Sequence, residues 1–106
     1  MQSVPLPPER CPLAQTAAIL CDRWTPLIVR DLARGLSRFS ELERSIQGIS
    51  PKTLSTRLKQ LEAAGLIQRL ENNGVRTRYA LTPRGRALLP LIRAMRDYGR
   101  TWLSQA

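Results

Sequence analysis

Apolar residues recur at helical spacing in five stretches of the chain and fill two short strand-like ones. Cys11-Pro12 opens the first helix, since proline suits a first helical turn, and Leu13, Ala17 and Leu20 lie on one side of it. Asp22 breaks that run. Thr25-Pro26 starts a second helix through Leu27, Ile28 and Leu32, which ends near Arg34-Gly35. Phe39, Leu42 and Ile46 fall at i, i+3 and i+7, a third, short helix that begins near Ser37 or Arg38 and is closed by Gly48. Ser50-Pro51 couples an N-cap to a first-turn proline. The helix it starts carries Leu54, Leu58 and Leu61 on one face and runs to Ala64, with Gly65 as its C-cap.

Residues 66–70 and 77–81 read as two short strands, and Asn73-Gly74 between them is a favoured hairpin turn. Thr82-Pro83 repeats the cap-plus-proline signature and predicts a final helix of about 20 residues, with Pro90 inside it as a kink. Residues 1–10, with Pro5, Pro7 and Pro8, read as an irregular arm, and residues 11–106 as one domain. The expected fold class is α+β, mostly α. The order of short helix, capped helix and hairpin is that of a winged helix-turn-helix.

The charge balance sharpens this picture. The chain has 106 residues, 17 Lys plus Arg against 8 Asp plus Glu, a net charge of +9 and a pI near 11.2. Residues 1–36 hold four arginines against Glu9, Asp22 and Asp31, so nearly all of the excess falls on residues 37–106. Such an excess in a small domain points to a polyanionic partner, usually nucleic acid. The chain has no histidine and two cysteines, which argues against a zinc site and against His-based catalysis; no metal, no cofactor and no enzymatic activity are expected. No apolar run approaches the roughly 20 residues of a membrane span, and residues 1–10 lack a signal-peptide pattern. The expected location is the cytoplasm.

The capped helix at Ser50 carries the candidate chemistry. With its leucine stripe turned inward, Lys52, Ser55, Thr56 and Lys59 lie opposite, and Thr53, Arg57 and Gln60 flank them. The major groove admits one such helix, and its N-terminal half usually makes the base contacts. Lys52, Thr53, Thr56 and Arg57 are therefore base-edge or phosphate candidates, with Arg57 favoured as a bidentate reader. Ser50 and the free N–H groups behind it could bind a phosphate. A plain solvated amphipathic helix would show the same face, but the neighbours favour duplex DNA. Arg76 and Arg78 on the second strand supply a wing that can follow the backbone or enter the minor groove.

Several segments resemble the HxlR family of bacterial transcriptional regulators, relatives of the MarR winged helices. They are Cys11-Pro12-Leu13, Asp22-Arg23-Trp24-Thr25-Pro26-Leu27-Ile28, Arg38-Phe39-Ser40-Glu41-Leu42, the Gly48–Leu58 and Leu61–Ile67 stretches, and Tyr79-Ala80-Leu81-Thr82-Pro83-Arg84-Gly85. The resemblance spans about Cys11 to Leu103. It implies a homodimer on a pseudo-palindromic double-stranded operator, acting as repressor or activator, with extra N- and C-terminal helices forming the dimer interface. Leu13, Ala17, Leu20, Leu88, Ile92, Met95 and Trp102 are the interface candidates, and filling the monomer core is the alternative for each. The resemblance also implies a response to oxidants or small electrophiles through Cys11, whose place at a helix start beside Arg10 suits a reactive thiol. Cys21, where the family pattern has a small residue, reads as a buried apolar side chain or as a second redox thiol. The competing function is a winged-helix module for RNA or protein contact without an operator.

Overall fold

Proline in the first two positions starts five of the six described α-helices. The computed structural model describes residues 8–72 and 75–103. The helices are α1 (Pro12–Leu20), α2 (Thr25–Ala33), α3 (Phe39–Ser45), α4 (Pro51–Ala63), α5 (Pro83–Arg86) and α6 (Leu89–Trp102). Between α4 and α5 an antiparallel hairpin is formed by β1 (Ile67–Asn72) and β2 (Val75–Leu81). Each strand extends two residues beyond the expected hairpin ends, and a register shift lies between Leu70 and Asn72. The Asn73-Gly74 turn lies outside the described residues. Part of the expected irregular arm, Pro8–Arg10, is a 3-10 turn tied to α1 by the Gln15 side chain, which donates to the Glu9 carbonyl at 2.6 Å.

One core joins the helices to the hairpin. Ile28, Val29 and Leu32 of α2 meet Leu42, Ile46 and Ile49 around α3, the α4 stripe of Leu54, Leu58 and Leu61, and Leu66, Ile67 and Leu81 of the hairpin region. On α4 the periodic positions are thus the buried ones, as burial of an amphipathic face requires. Ile46 is buried although α3 ends at Ser45, because the backbone there turns extended and aims the side chain inward. One backbone contact locks the helix-turn-helix to the wing, and a capping box fixes the start of α3 beside it. The Tyr79 N–H donates to the Ser37 carbonyl at 2.8 Å, pinning the start of α3 to β2. Glu41 reaches back to accept from the N–H groups of Ser37 and Arg38, at 3.1 and 2.9 Å.

The ends of α4 and β2 meet at a second junction. Gly65, at φ +77°, lets Leu66 turn back so that its N–H reaches the Leu61 carbonyl at 2.9 Å. The Thr82 hydroxyl donates to the Gly65 carbonyl at 2.6 Å and accepts from the Gly85 N–H at 3.1 Å. A Cβ on Gly85 would stand 2.1 Å from the Leu66 carbonyl oxygen. The Leu-Thr-Pro-x-Gly segment is therefore a packing device, with threonine as clasp and glycine as the only residue that fits.

The expected single last helix is two helices. Pro90 has no N–H to give to Arg86, and it occupies the first turn of a new helix instead of kinking an old one. Ala87 and Leu88 separate the two helices, and α6 has no fully buried residue. Among the described residues no helix is long and apolar enough to cross a membrane. Burial bears on two residues of the flanking helices for which the sequence left alternatives open. Leu20 is only 2% exposed within the single chain, so its side chain belongs to the core and is closed to a partner. Cys21, at the C-cap of α1, is exposed, which leaves no support for the buried alternative.

Candidate nucleic-acid interface

Ser50 sets the start of α4. Its Oγ accepts from the Thr53 N–H at 3.1 Å, and its hydroxyl donates to Thr53 Oγ1 at 2.9 Å. The cap stabilises the helix start and leaves the Lys52 side chain exposed beside it. Thr56, Lys59 and Gln60 are also exposed; Thr53, Ser55 and Arg57 are half-buried. A shallow groove of about 220 Å³ runs along this face, lined by Lys52, Thr53, Thr56, Arg57 and Gln60. Four of the expected α4 contacts, Lys52, Thr53, Thr56 and Arg57, thus lie together. The Ser55 and Lys59 side chains do not line the groove. Arg78 is exposed on β2, while Tyr79 packs toward the core, as strand alternation demands. Arg76 lies in β2, but its side chain is outside the described residues.

Arg57 is restrained by a partner that the sequence reading missed. Its terminal nitrogen donates to Gln60 Oε1 at 2.7 Å, and its Nε lies 3.8 Å from Asp22 Oδ1. That separation suits an ion pair but is too long for a hydrogen bond, and Nε has no hydrogen-bond partner. Asp22 also holds the start of α2. Its Oδ1 accepts from the N–H groups of Trp24 and Thr25, at 2.7 and 2.8 Å, and Oδ2 accepts from the Thr25 hydroxyl. Burial works against its charge, but these hydrogen bonds and the Arg57 guanidinium outweigh it and hold the carboxyl below its ordinary pKa. The Asp-x-x-Thr spacing ahead of Pro26 was the available signal for the capping half of this role. Glu41 is likewise held below its ordinary pKa, first by the Arg38 N–H and then by that of Ser37.

The face carries no acidic residue between Ser50 and Gln60, so it offers donors and positive charge to an anionic lattice. Among the described residues no group of three or more Cys, Asp or Glu side chains could hold a metal ion. Of the remaining candidates, Leu13 and Trp102 are 78% and 70% exposed, Met95 is exposed, and Ala17 is half-buried. Leu88 and Ile92 pack partly against the chain's own core. Cys11 is a half-buried free thiol at the N-cap of α1.

Residues 19–106 match the model of the HxlR-like helix-turn-helix family. The chain is 39% identical over 98 residues to the uncharacterised HTH-type transcriptional regulator YvaP of Bacillus subtilis, covering 90% of this chain and 91% of that protein. Among solved structures, the redox regulator HypR in its reduced form superposes with a TM-score of 0.81 at 28% identity, covering 86% of this chain and 92% of HypR. The reduced form of the transcriptional regulator YodB from B. subtilis gives a TM-score of 0.74 at 33% identity, covering 91% and 97%. A diamide-treated form of YodB gives 0.70 at 34% identity, covering 89% and 96%.

Proposed function

Because the chain belongs to the HxlR-like helix-turn-helix family, we propose that it is a transcription regulator that binds duplex DNA sequence-specifically as a homodimer. The observation that carries this reading is the face of α4. Its leucines are buried while Lys52, Thr56, Lys59 and Gln60 stay uncovered on a helix whose start is fixed by the Ser50 cap. A helix held in this way can enter a major groove and present donors to base edges, while Arg76 and Arg78 follow the flanking backbone. One such head reads one half-site. A second copy would supply the other, and the exposed apolar side chains of α1 and α6 give it a surface to join.

Selection of bound sequences from a random duplex pool tests the reading. The expected result is a pseudo-palindromic site with half-sites about one helical turn apart. Equal retention of every duplex, with loss governed by salt alone, would overturn it. Cys11 supplies the input in this reading, supported by its free thiol at the start of α1 and by the likeness to the redox regulator HypR. Diamide should lower the DNA affinity of the wild type and leave that of Cys11→Ser unchanged; equal responses would remove Cys11 from the mechanism.

A further inference from the structure

The corner between α1 and α2 leans on the helix-turn-helix at two points. Asp22 faces Arg57 on α4 at 3.8 Å. Trp24, half-buried against the core, lies along the turn before α4, where a Cβ on Gly48 would stand 3.9 Å from its Cη2 atom. Gly48 holds φ +86° in that turn and has no side chain to push the indole away. The corner is fixed from within as well, since Asp22 Oδ1 accepts from the Trp24 and Thr25 N–H groups at 2.7 and 2.8 Å. Between these two anchors stands Arg23, exposed, with its guanidinium carbon 4.8 Å from the centroid of the Trp24 ring.

We infer that Arg23 is a phosphate anchor: stacked on Trp24, it takes a backbone phosphate at the wall of the major groove that α4 enters. This role rests on the duplex-binding reading above and adds to it a contact outside α4 and the wing. Stacking occupies the face of a guanidinium and leaves its N–H donors pointing outward in the plane. Among the described residues Arg23 has no carboxylate within ion-pair distance. The neighbouring Asp22 is taken by the start of α2 and by Arg57. The cation is therefore held in place without being neutralised, which lowers the ordering cost of a charge-assisted bond to phosphate.

Position favours the same occupant. An α-helix with its side chains is about 10–12 Å across and the major groove about 12 Å wide, so the phosphates of the walls pass along the flanks of an inserted helix. Arg57 marks one flank of α4, and the corner sits against it. Contacts from such neighbouring elements to phosphate are what hold a reading helix in register. The apolar stripe of α6, formed by Leu91, Met95, Tyr98 and Trp102, offers a second copy its surface, and none of it lies on this corner.

The test is fluorescence anisotropy on a duplex drawn from the selected pool, over a range of salt concentrations. Arg23→Gln should weaken binding about tenfold, by the same factor on the selected duplex and on one mismatched in a half-site. Its salt slope should fall by about 0.9 for each bound copy, and its melting midpoint should stay that of the wild type. Arg23→Lys should recover most of the slope but only part of the affinity, because lysine keeps the charge and loses the stacked plane. Arg93→Gln, the same loss of charge on α6, should change neither. Neutral methylphosphonates, placed one at a time in the duplex, should reveal one position per half-site that weakens the wild type and leaves Arg23→Gln unaffected. Absence of any such position, a loss confined to one base pair, or a loss no greater than that of Arg93→Gln would overturn the anchor while leaving duplex binding by α4 intact. A wild type that binds no duplex specifically would overturn the proposed function itself, and the anchor with it.

Discussion

If Arg57 contacts DNA as proposed, replacing Asp22 by asparagine should strengthen duplex binding, because the guanidinium would otherwise have to give up its ion pair with Asp22. The guanidinium lies 3.8 Å from the carboxylate and donates to Gln60 along the helix. In a dry interior the Coulomb attraction at that distance would be many kcal/mol. Here the side chains keep 33% and 25% of their exposure, so solvent screens the pair to a net worth of about 0.5–1 kcal/mol. Releasing Arg57 should therefore raise affinity by about two- to fivefold. Asparagine keeps the Oδ1 acceptor for the Trp24 and Thr25 N–H groups, so the start of α2 survives the change. Fluorescence anisotropy on a selected duplex, at several salt concentrations, should compare wild type, Asp22→Asn, Arg57→Gln and the double variant. The gain from Asp22→Asn should vanish when Arg57 is absent, a coupling of about 0.5–1 kcal/mol. If Arg57 takes up a phosphate, Arg57→Gln should also lower the salt slope by about 0.9; if it reads a base, the preference at one position should relax instead. An equal gain with and without Arg57 would mean that Asp22 acts only through net charge, and the restraint would be refuted.

Gly85→Ala should destabilise the fold by about 2–3 kcal/mol, since the new methyl meets the Leu66 carbonyl at 2.1 Å; a melting midpoint lowered by less than about 5 °C would contradict that close approach. Asp22 and Glu41 titrate lower when folded than their ordinary 3.8 and 4.5, so their stabilisation is complete above those values and is lost as pH falls below them. Melting midpoints should decline through that acid window, and the decline should be shallower in the Asp22→Asn, Glu41→Gln variant. Met95→Glu, which puts a carboxylate into the exposed stripe of α6, should weaken self-association by roughly 30- to 100-fold in sedimentation equilibrium while leaving the melting curve of the monomer in place.

What could be read directly from the sequence was local. Ser50-Pro51 and Thr82-Pro83 announce helix starts because the cap and the proline act within one turn, and both hydroxyls accept the N–H three residues on. Leu54, Leu58 and Leu61 announce a buried stripe because periodicity alone decides which side faces the core. The same locality misled at Pro90. A proline in an apolar helical pattern reads equally as a kink or as a first-turn residue, and the choice rests on where α6 can pack after leaving the hairpin. It left Leu20 open between interface and core: Leu20 shares a side with Leu13 on the helical wheel, yet within α1 it alone is buried.

The candidate site shows the same limit more sharply. Helical geometry was sufficient to place Lys52, Thr53, Thr56 and Arg57 together, because all four lie within two turns of one helix. What each is free to do depends on partners distant in the chain. Thr53 is engaged by Ser50 beside it, a local fact. Arg57 is engaged by Asp22, which no periodicity connects to α4 and which reaches it only because the corner after α1 folds against the helix-turn-helix. A residue's chemistry can thus be legible while its availability is not. Availability here is electrostatic: the carboxylate that fixes the start of α2 also faces the guanidinium nearest the reading face, so any change at that corner alters what α4 presents.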